Sequence, residues 1–369
     1  LLLLWLAVPV SLATAQSPDV LREQTNRGAV SIITGGIKGT YIQIASDLAT
    51  LLDRGPDLRI LPIVGKGSVQ NITDILYLRS IDIGIVQSDV PAFLKKEGSH
   101  PTIGKRIHYI TKLYNEEFHL LAAKSIAGPA DLAGKQVNFA PEGSGTFMTA
   151  RLILDSLQVE VVPTTFDYPI ALEKLRNGEI AAMVYVAGKP TNLFVNVPQP
   201  HDLHFLAIPF TPVLAETYIP ATLSHQDYPR LIPEGETVET LAVGAVMAAY
   251  NWDRQSERYR KVSVFVDAFF NSFPELLKPP YHAKWQEVHL AATVPGWTRY
   301  AAADDWLKAR VKVPATAGAT SDPQLRKDFE DFLAFSQRNR LAGASAELSP
   351  VERDNLYNQF VRWRQQQRR

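Results

Sequence analysis

Thr34-Gly35-Gly36-Ile37-Lys38-Gly39-Thr40-Tyr41 is the stretch on which the reading of the fold turns. It closes a β-branched run, Ala29 to Thr34, and leads into Tyr41 to Leu52, where apolar residues recur at helical spacing. The pattern predicts a strand, a glycine loop and a helix. Such a loop lets the backbone come close to a ligand, and the helix start beyond it offers unpaired N–H groups and a partial positive charge to an anion. Two more loops repeat the motif, Gly65-Lys66-Gly67-Ser68-Val69-Gln70-Asn71 and Pro141-Glu142-Gly143-Ser144-Gly145-Thr146. One alone is an ordinary strand-to-helix turn; three predict a shared anion site.

Working outward, Leu58 to Val64 followed by Ser68 to Leu78 repeats the strand and helix, with Ser68 placed as an N-cap. Ile81 to Val86 is the next strand and ends in Gln87-Ser88-Asp89, at the carboxyl end where open α/β sheets bind ligands. A second series starts at Gln136 to Ala140, with a helix over Phe147 to Leu157, then Val161 to Thr165, Ile170 to Arg176 and Ile180 to Val186. Two alternating series predict two α/β lobes. Phe118 to Ala123 and Leu241 to Tyr250, continuous apolar runs, are read as the strands that join them, with helices over Tyr259 to Leu277 and Trp285 to Ala292 afterwards. The expected division is 28–120 with 244–312 for the first lobe and 121–243 for the second. A linker, Val313 to Asp322, and two polar helices, Pro323 to Asn339 and Val351 to Gln367, make up an appendage over 313–369.

The 369 residues are 46% apolar, enough for a substantial core, and Lys plus Arg balance Asp plus Glu at 38 each. No charge bias points to nucleic acid or an anionic membrane surface. The absence of cysteine excludes disulfides, thiolate metal sites and a cysteine nucleophile. Leu1 to Leu12 is largely apolar, and Ala13-Thr14-Ala15 has the small-x-small form of a secretory cleavage site. Residues 1–15 therefore read as a truncated signal peptide, and the expected compartment is the periplasm.

The chain carries an ordered set of motifs: Thr34-Gly35-Gly36 with Gly39-Thr40-Tyr41, Gly67-Ser68-Val69 with Asn71, Gly84-Ile85-Val86-Gln87-Ser88-Asp89, Leu113-Tyr114 with His119-Leu120, Asp131-Leu132 with Gly134-Lys135, Gly143-Ser144-Gly145-Thr146, and Val186-Ala187-Gly188 with Pro190. Taken in order, the set resembles the TAXI-type solute receptors of tripartite ATP-independent periplasmic (TRAP) transporters. The resemblance implies the two-lobed fold of type II periplasmic binding proteins and a receptor that closes on a small organic anion, such as glutamate or 2-oxoglutarate, for delivery to a membrane permease. Hydroxyl and amide groups at Thr40, Ser68, Asn71, Ser88, Ser144 and Thr146 are candidates to satisfy carboxylate oxygens without a metal or cofactor. Tyr41, Tyr114 and Tyr185 are candidates to pack on the ligand's carbon skeleton. Gly36, Lys38, Gly39, Lys66, Gly67, Gln87, Asp89, Gly143, Gly145 and Gly188 complete the expected site. Lys38, Lys66 and Lys189 depart from the family pattern, standing where small or uncharged residues are usual; solvated at the loop rims they are neutral for specificity, and facing the cleft they would favour a more anionic ligand.

An enzyme reading has little support. Gly143-Ser144-Gly145 lacks nucleophile-elbow spacing, no loop matches a phosphate-binding G-x-x-x-x-G-K-[ST], and there is no H-E-x-x-H. His201, Asp202 and His204 read as a surface loop rather than a metal site, and His119, beside Glu116 and Glu117, as a hydrogen-bonded structural histidine. A ligand-sensing adaptor for a membrane signalling protein is the alternative to transport, and an enzyme on the same fold is the weaker one.

Overall fold

The computed structural model describes residues 17–37, 39–198 and 202–310. The expected leader and the appendage over 313–369 lie outside the described residues, as do Lys38 and His201.

In chain order come α1 (Pro18–Arg27), β1 (Ala29–Ile33), α2 (Thr40–Leu52), β2 (Arg59–Ile63), α3 (Ser68–Tyr77), β3 (Ile83–Gln87), α4 (Val90–Lys96) and α5 (Ile103–Arg106). The long β4 (Ile107–Ala123) then leads to β5 (Gln136–Asn138), α6 (Gly145–Ser156), β6 (Val162–Thr164), α7 (Tyr168–Arg176), β7 (Ala182–Ala187), α8 (Asn192–Val195), β8 (Leu203–Phe205), α9 (Pro212–Ala215) and β9 (Ile219–Ser224). A second long strand, β10 (Thr237–Tyr250), returns to α10 (Glu257–Leu276) and α11 (Ala301–Arg310).

The ten strands among the described residues belong to one sheet, ordered β2-β1-β3-β10-β4-β7-β5-β6, with β8 on β4 and β9 on β10. β4 and β10 are antiparallel partners from Ala242 opposite Glu117 to Tyr250 opposite Ile107, with an irregularity after Gly244. Beyond that pair their partners part company. β10 gives Ala245 to Ala249 to β3, whereas β4 gives Glu117 to Ala122 to β7. Two continuous strands thus carry one lobe into the other, which is the expected two-lobed α/β architecture.

Each lobe is covered on both faces of its sheet, which is why the strands read as unbroken apolar runs. In the first lobe Ile44, Leu48 and Leu52 of α2 and Phe265 and Phe269 of α10 pack on one face, with Ile72, Ile75 and Val90 on the other. In the second, Ile153 and Leu154 of α6 cover one face, and Leu172, Phe194 and Tyr228 the other.

The sequence reading differs from the structure at informative places. β4 begins at Ile107, well before the expected Phe118, because its polar stretch Asn115-Glu116-Glu117 lies where the lobes meet rather than in either core. Ser68 is the first residue of α3 and not its cap; the cap position is Gly67, at a φ of 116° that favours glycine. The helix expected over Trp285 to Ala292 is a short 3-10 turn, Ala283–Glu287. There Asp47 accepts hydrogen bonds from the His282 amide and the buried Trp285 indole, both at 2.8 Å, and folds the segment around one carboxylate.

Candidate functional site

The first lobe brings two strand-loop-helix units to one edge of the cleft. Gly39 opens α2 without a side-chain cap, after a turn in which its amide donates to the Gly36 carbonyl at 2.9 Å. α3 opens at Gly67, also without a side-chain cap. From the second lobe, α6 starts under Ser144, whose hydroxyl accepts from the Phe147 amide at 3.1 Å. The starts of α3 and α6 meet. The Gln70 amide donates to the Gly143 carbonyl at 3.2 Å, and a Cβ on Gly145 would stand 2.0 Å from the Gln87 amide oxygen and 2.6 Å from the Ser68 hydroxyl. A side chain there would have to displace the ends of Gln87 and Ser68, so glycine at 145 lets the two lobes pack this closely.

Between them lies a cavity of about 460 Å³. Among the expected residues, Gly36, Gly39, Thr40, Tyr41, Lys66, Ser68, Gln87, Ser144, Gly145, Thr146 and Tyr185 line it. Lys66 is exposed and is the only cation among the described lining residues.

Several lining hydroxyls are already engaged. Ser68 accepts from the Gln87 amide at 3.0 Å and donates to its side-chain oxygen at 3.2 Å. Thr146 shares a 2.9 Å hydrogen bond with Tyr168 and accepts from the Val186 amide at 3.1 Å. Their hydrogen-bonding capacity goes first to the protein itself.

Other expected residues stand behind the wall. Gly67 packs against Ser144 and Gly145, and Gly143 supplies the carbonyl of the loop-to-loop contact. Asn71 is buried and donates to the Ile85 carbonyl at 2.7 Å, holding the carboxyl end of β3. Ser88 accepts from the Gly244 amide. Tyr114 is buried edge-on against Tyr41, their rings 6.5 Å apart. Gly188 makes room for Lys284, whose Cε would lie 2.7 Å from a Cβ there. Lys189 turns away from the cleft into a 2.9 Å ion pair with Asp227.

Asp89 joins the lobes, accepting hydrogen bonds from Thr149 of α6 at 2.7 Å and from Tyr218 at 2.9 Å. Burial raises its carboxyl to about 6 against these two bonds. His119, on β4, is buried against Phe194 and Tyr228, its ring bonded to the Tyr228 hydroxyl at 2.7 Å and the Tyr185 carbonyl at 3.0 Å, and burial lowers it to about 4. This is a structural histidine. His204 binds the Ile126 carbonyl at 2.8 Å, and no group of three or more metal-ligating side chains occurs among the described residues.

The sequence reading missed Glu116, and with it Asp167, Tyr168, Pro169 and Ile170 at the start of α7. Asp-Tyr-Pro is a helix-start signal that would have extended α7 back to the cleft. Tyr168 packs on Tyr185 with ring centres 4.1 Å apart, forming an aromatic wall. Glu116 lines the cavity at 4% exposure, and Tyr41 donates to its Oε2 at 2.5 Å. The site therefore combines converging helix starts, aromatic faces, one rim lysine and one deep carboxyl.

A model of the NMT1-like family matches residues 32–292. Similar solved structures include one described as a periplasmic transporter, 13% identical, with 76% of this chain and 92% of that one covered at a TM-score of 0.45. The periplasmic binding protein BugD is 12% identical over 76% and 93% of the two chains, also at 0.45. The periplasmic aliphatic sulphonate binding protein SsuA from Escherichia coli is 16% identical over 87% and 96%, at 0.38. At such identities and scores none of their ligands transfers to this chain.

Proposed function

The chain belongs to the NMT1-like family, and from that premise we propose that it is a solute-binding receptor which captures a small organic anion between its two lobes. The observation that supports this most is the cavity bounded by both lobes, at whose wall the starts of α2, α3 and α6 converge. Helix starts present amide donors and a partial positive charge, so an oxyanion is held without a metal. The aromatic wall of Tyr41, Tyr168 and Tyr185 suits the ligand's carbon skeleton.

We read the lobes as 28–120 with 244–312 and 121–243, with closure as the working motion. Closure requires that the ligand bind the closed form better than the open one. The contact of Gly145 with Gln87 and Ser68 forms only when the lobes meet, and its tightness gives closure a defined end point. The ligand class is a carboxylate such as glutamate or 2-oxoglutarate. Release to a TRAP-type permease from the periplasm is the role that the resemblance to TAXI receptors supports. No helix among the described residues is long and apolar enough to cross a membrane.

A thermal-shift screen of organic acids tests the reading. A ligand at a hundredfold excess over its Kd stabilises the native state by about 2.7 kcal/mol, which for a protein of this size is a rise of roughly 4 °C in Tm. A shift with carboxylates, lost in Gly36→Trp, is expected. A shift that survives Gly36→Trp would place binding elsewhere.

A further inference from the structure

We propose that Glu116 is a specificity-determining residue of this cleft and meets the ligand as a neutral carboxylic acid, giving a hydrogen bond from Oε1 to an oxygen of the bound anion. The proposal rests on the receptor reading above and deepens it, because it makes capture of the anion depend on a proton.

The geometry leads there in three steps. Glu116 is buried at the cavity wall, and its Oε2 is taken by the Tyr41 hydroxyl. Among the described residues its Oε1 makes no hydrogen bond, and it is not one of the sealed polar atoms that lack a partner; because Glu116 lines the cavity, Oε1 is the carboxyl oxygen left open to a ligand. No ion pair reaches Glu116 among the described residues. The nearest buried cation, Lys284, is spent on Glu287 at 2.6 Å and stands 4.0 Å from Glu117.

The surroundings disfavour a second negative charge. Glu117 follows on β4 and Asp89 follows β3; the phenols of Tyr41, Tyr168 and Tyr185 line the same cavity with the exposed Asp167, and the cations are Lys284 behind the wall and the exposed Lys66 at the rim. Burial, reinforced by Glu117 and Asp89 and opposed by the Tyr41 hydrogen bond and Lys284, raises the Glu116 carboxyl to about 8. An anion drawn in by three helix starts would be repelled by an ionised Glu116, and is instead met by a donor when the carboxyl keeps its proton. If Glu116 is ionised before binding, one proton is taken from solvent on capture, and none is exchanged when it is already neutral.

The protonated form binds, so affinity is full below the pKa of the free receptor and falls as pH rises through about 8. The experiment is calorimetric titration of the whole protein with 2-oxoglutarate and with glutamate from pH 6 to 9, in two buffers of different ionisation enthalpy. For 2-oxoglutarate the expected result is constant affinity to about pH 7, a loss approaching about tenfold per pH unit above 8, and uptake nearing one proton per site at pH 9. Glu116→Gln keeps a donor, so it should bind 2-oxoglutarate within about threefold of wild type at pH 7 and show no pH dependence. Affinity for 2-oxoglutarate that is flat with pH in wild type would overturn the proposal alone. So would affinity for glutamate that rises with pH and is lost in Glu116→Gln, since that marks a carboxylate paired with the ligand's ammonium. Failure of both probes to bind wild type at pH 6 would overturn the carboxylate reading and this proposal with it.

Discussion

The loops that open α2 and α6 share a glycine-rich sequence and a place at the cleft, but they do different work. Around the first there is room: a Cβ at Gly36 would meet nothing within 4 Å, and one at Gly35 only the Tyr41 ring at 3.6 Å. Around the third there is none: Gly145 is pressed on Gln87 and Ser68, Ser144 caps its own helix, and Thr146 is bonded to Tyr168 and Val186. The first loop is a wall that leaves space for a ligand, and the third is a clasp between lobes. Glycine serves the first by having no side chain in the way of a guest, and the second by having none in the way of the protein itself.

The sharpest way to break this comparison is to add a side chain to each loop. Gly145→Val should hold the lobes apart, giving a larger radius of gyration by small-angle scattering and at least about a hundredfold loss of affinity for 2-oxoglutarate, some 2.7 kcal/mol. Gly36→Ala should change stability by less than about 0.5 kcal/mol in urea unfolding. Equal effects of the two would erase the distinction between wall and clasp.

Next in size is the bridge at Asp89. Asp89→Ala strands the Thr149 and Tyr218 hydroxyls and should cost about 1–3 kcal/mol of unfolding free energy. Its pH signature has a definite sign. Burial raises the native carboxyl from 3.8 to about 6, so its protonation favours the native state. That contribution is fully present below about pH 4 and lost as pH rises through about 6. Asp89→Asn should remove this slope from the stability profile, and a slope left intact would locate the titration elsewhere. Gly67→Ala, at a φ of 116°, should cost roughly 1–3 kcal/mol. Ser144→Ala should cost about 1 kcal/mol through the lost cap, read as a fall in Tm without ligand. Lys66→Ala should be smallest, a few-fold loss of affinity that disappears in high salt, as expected of an exposed charge.

The units from β1 to β3 were legible because each apolar run is bounded by a glycine loop and followed by a helical period. The floor of the cleft was not. Asn115-Glu116-Glu117 reads as a polar interruption, and only the pairing of β4 with both β10 and β7 makes it part of a strand. Alternation along that strand then separates two neighbouring carboxylates, Glu116 to Tyr41 and the cavity, Glu117 to Lys284 and the Lys189 amide. The hydroxyls of Ser68, Ser144 and Thr146 were read as ligand groups because the same chemistry that binds a carboxylate also satisfies a helix start or a neighbouring amide. Which of the two takes the hydrogen bond is decided by tertiary contacts that spacing does not encode.

The central claim, an anion held in the cleft between the lobes, is tested most directly by native mass spectrometry of wild type and Gly36→Trp, both purified from cells without refolding. The account predicts that wild type carries and releases a small organic acid, and that Gly36→Trp is folded and empty. A folded Gly36→Trp protein that retains the same molecule, or a wild type that releases only an uncharged one, would contradict it.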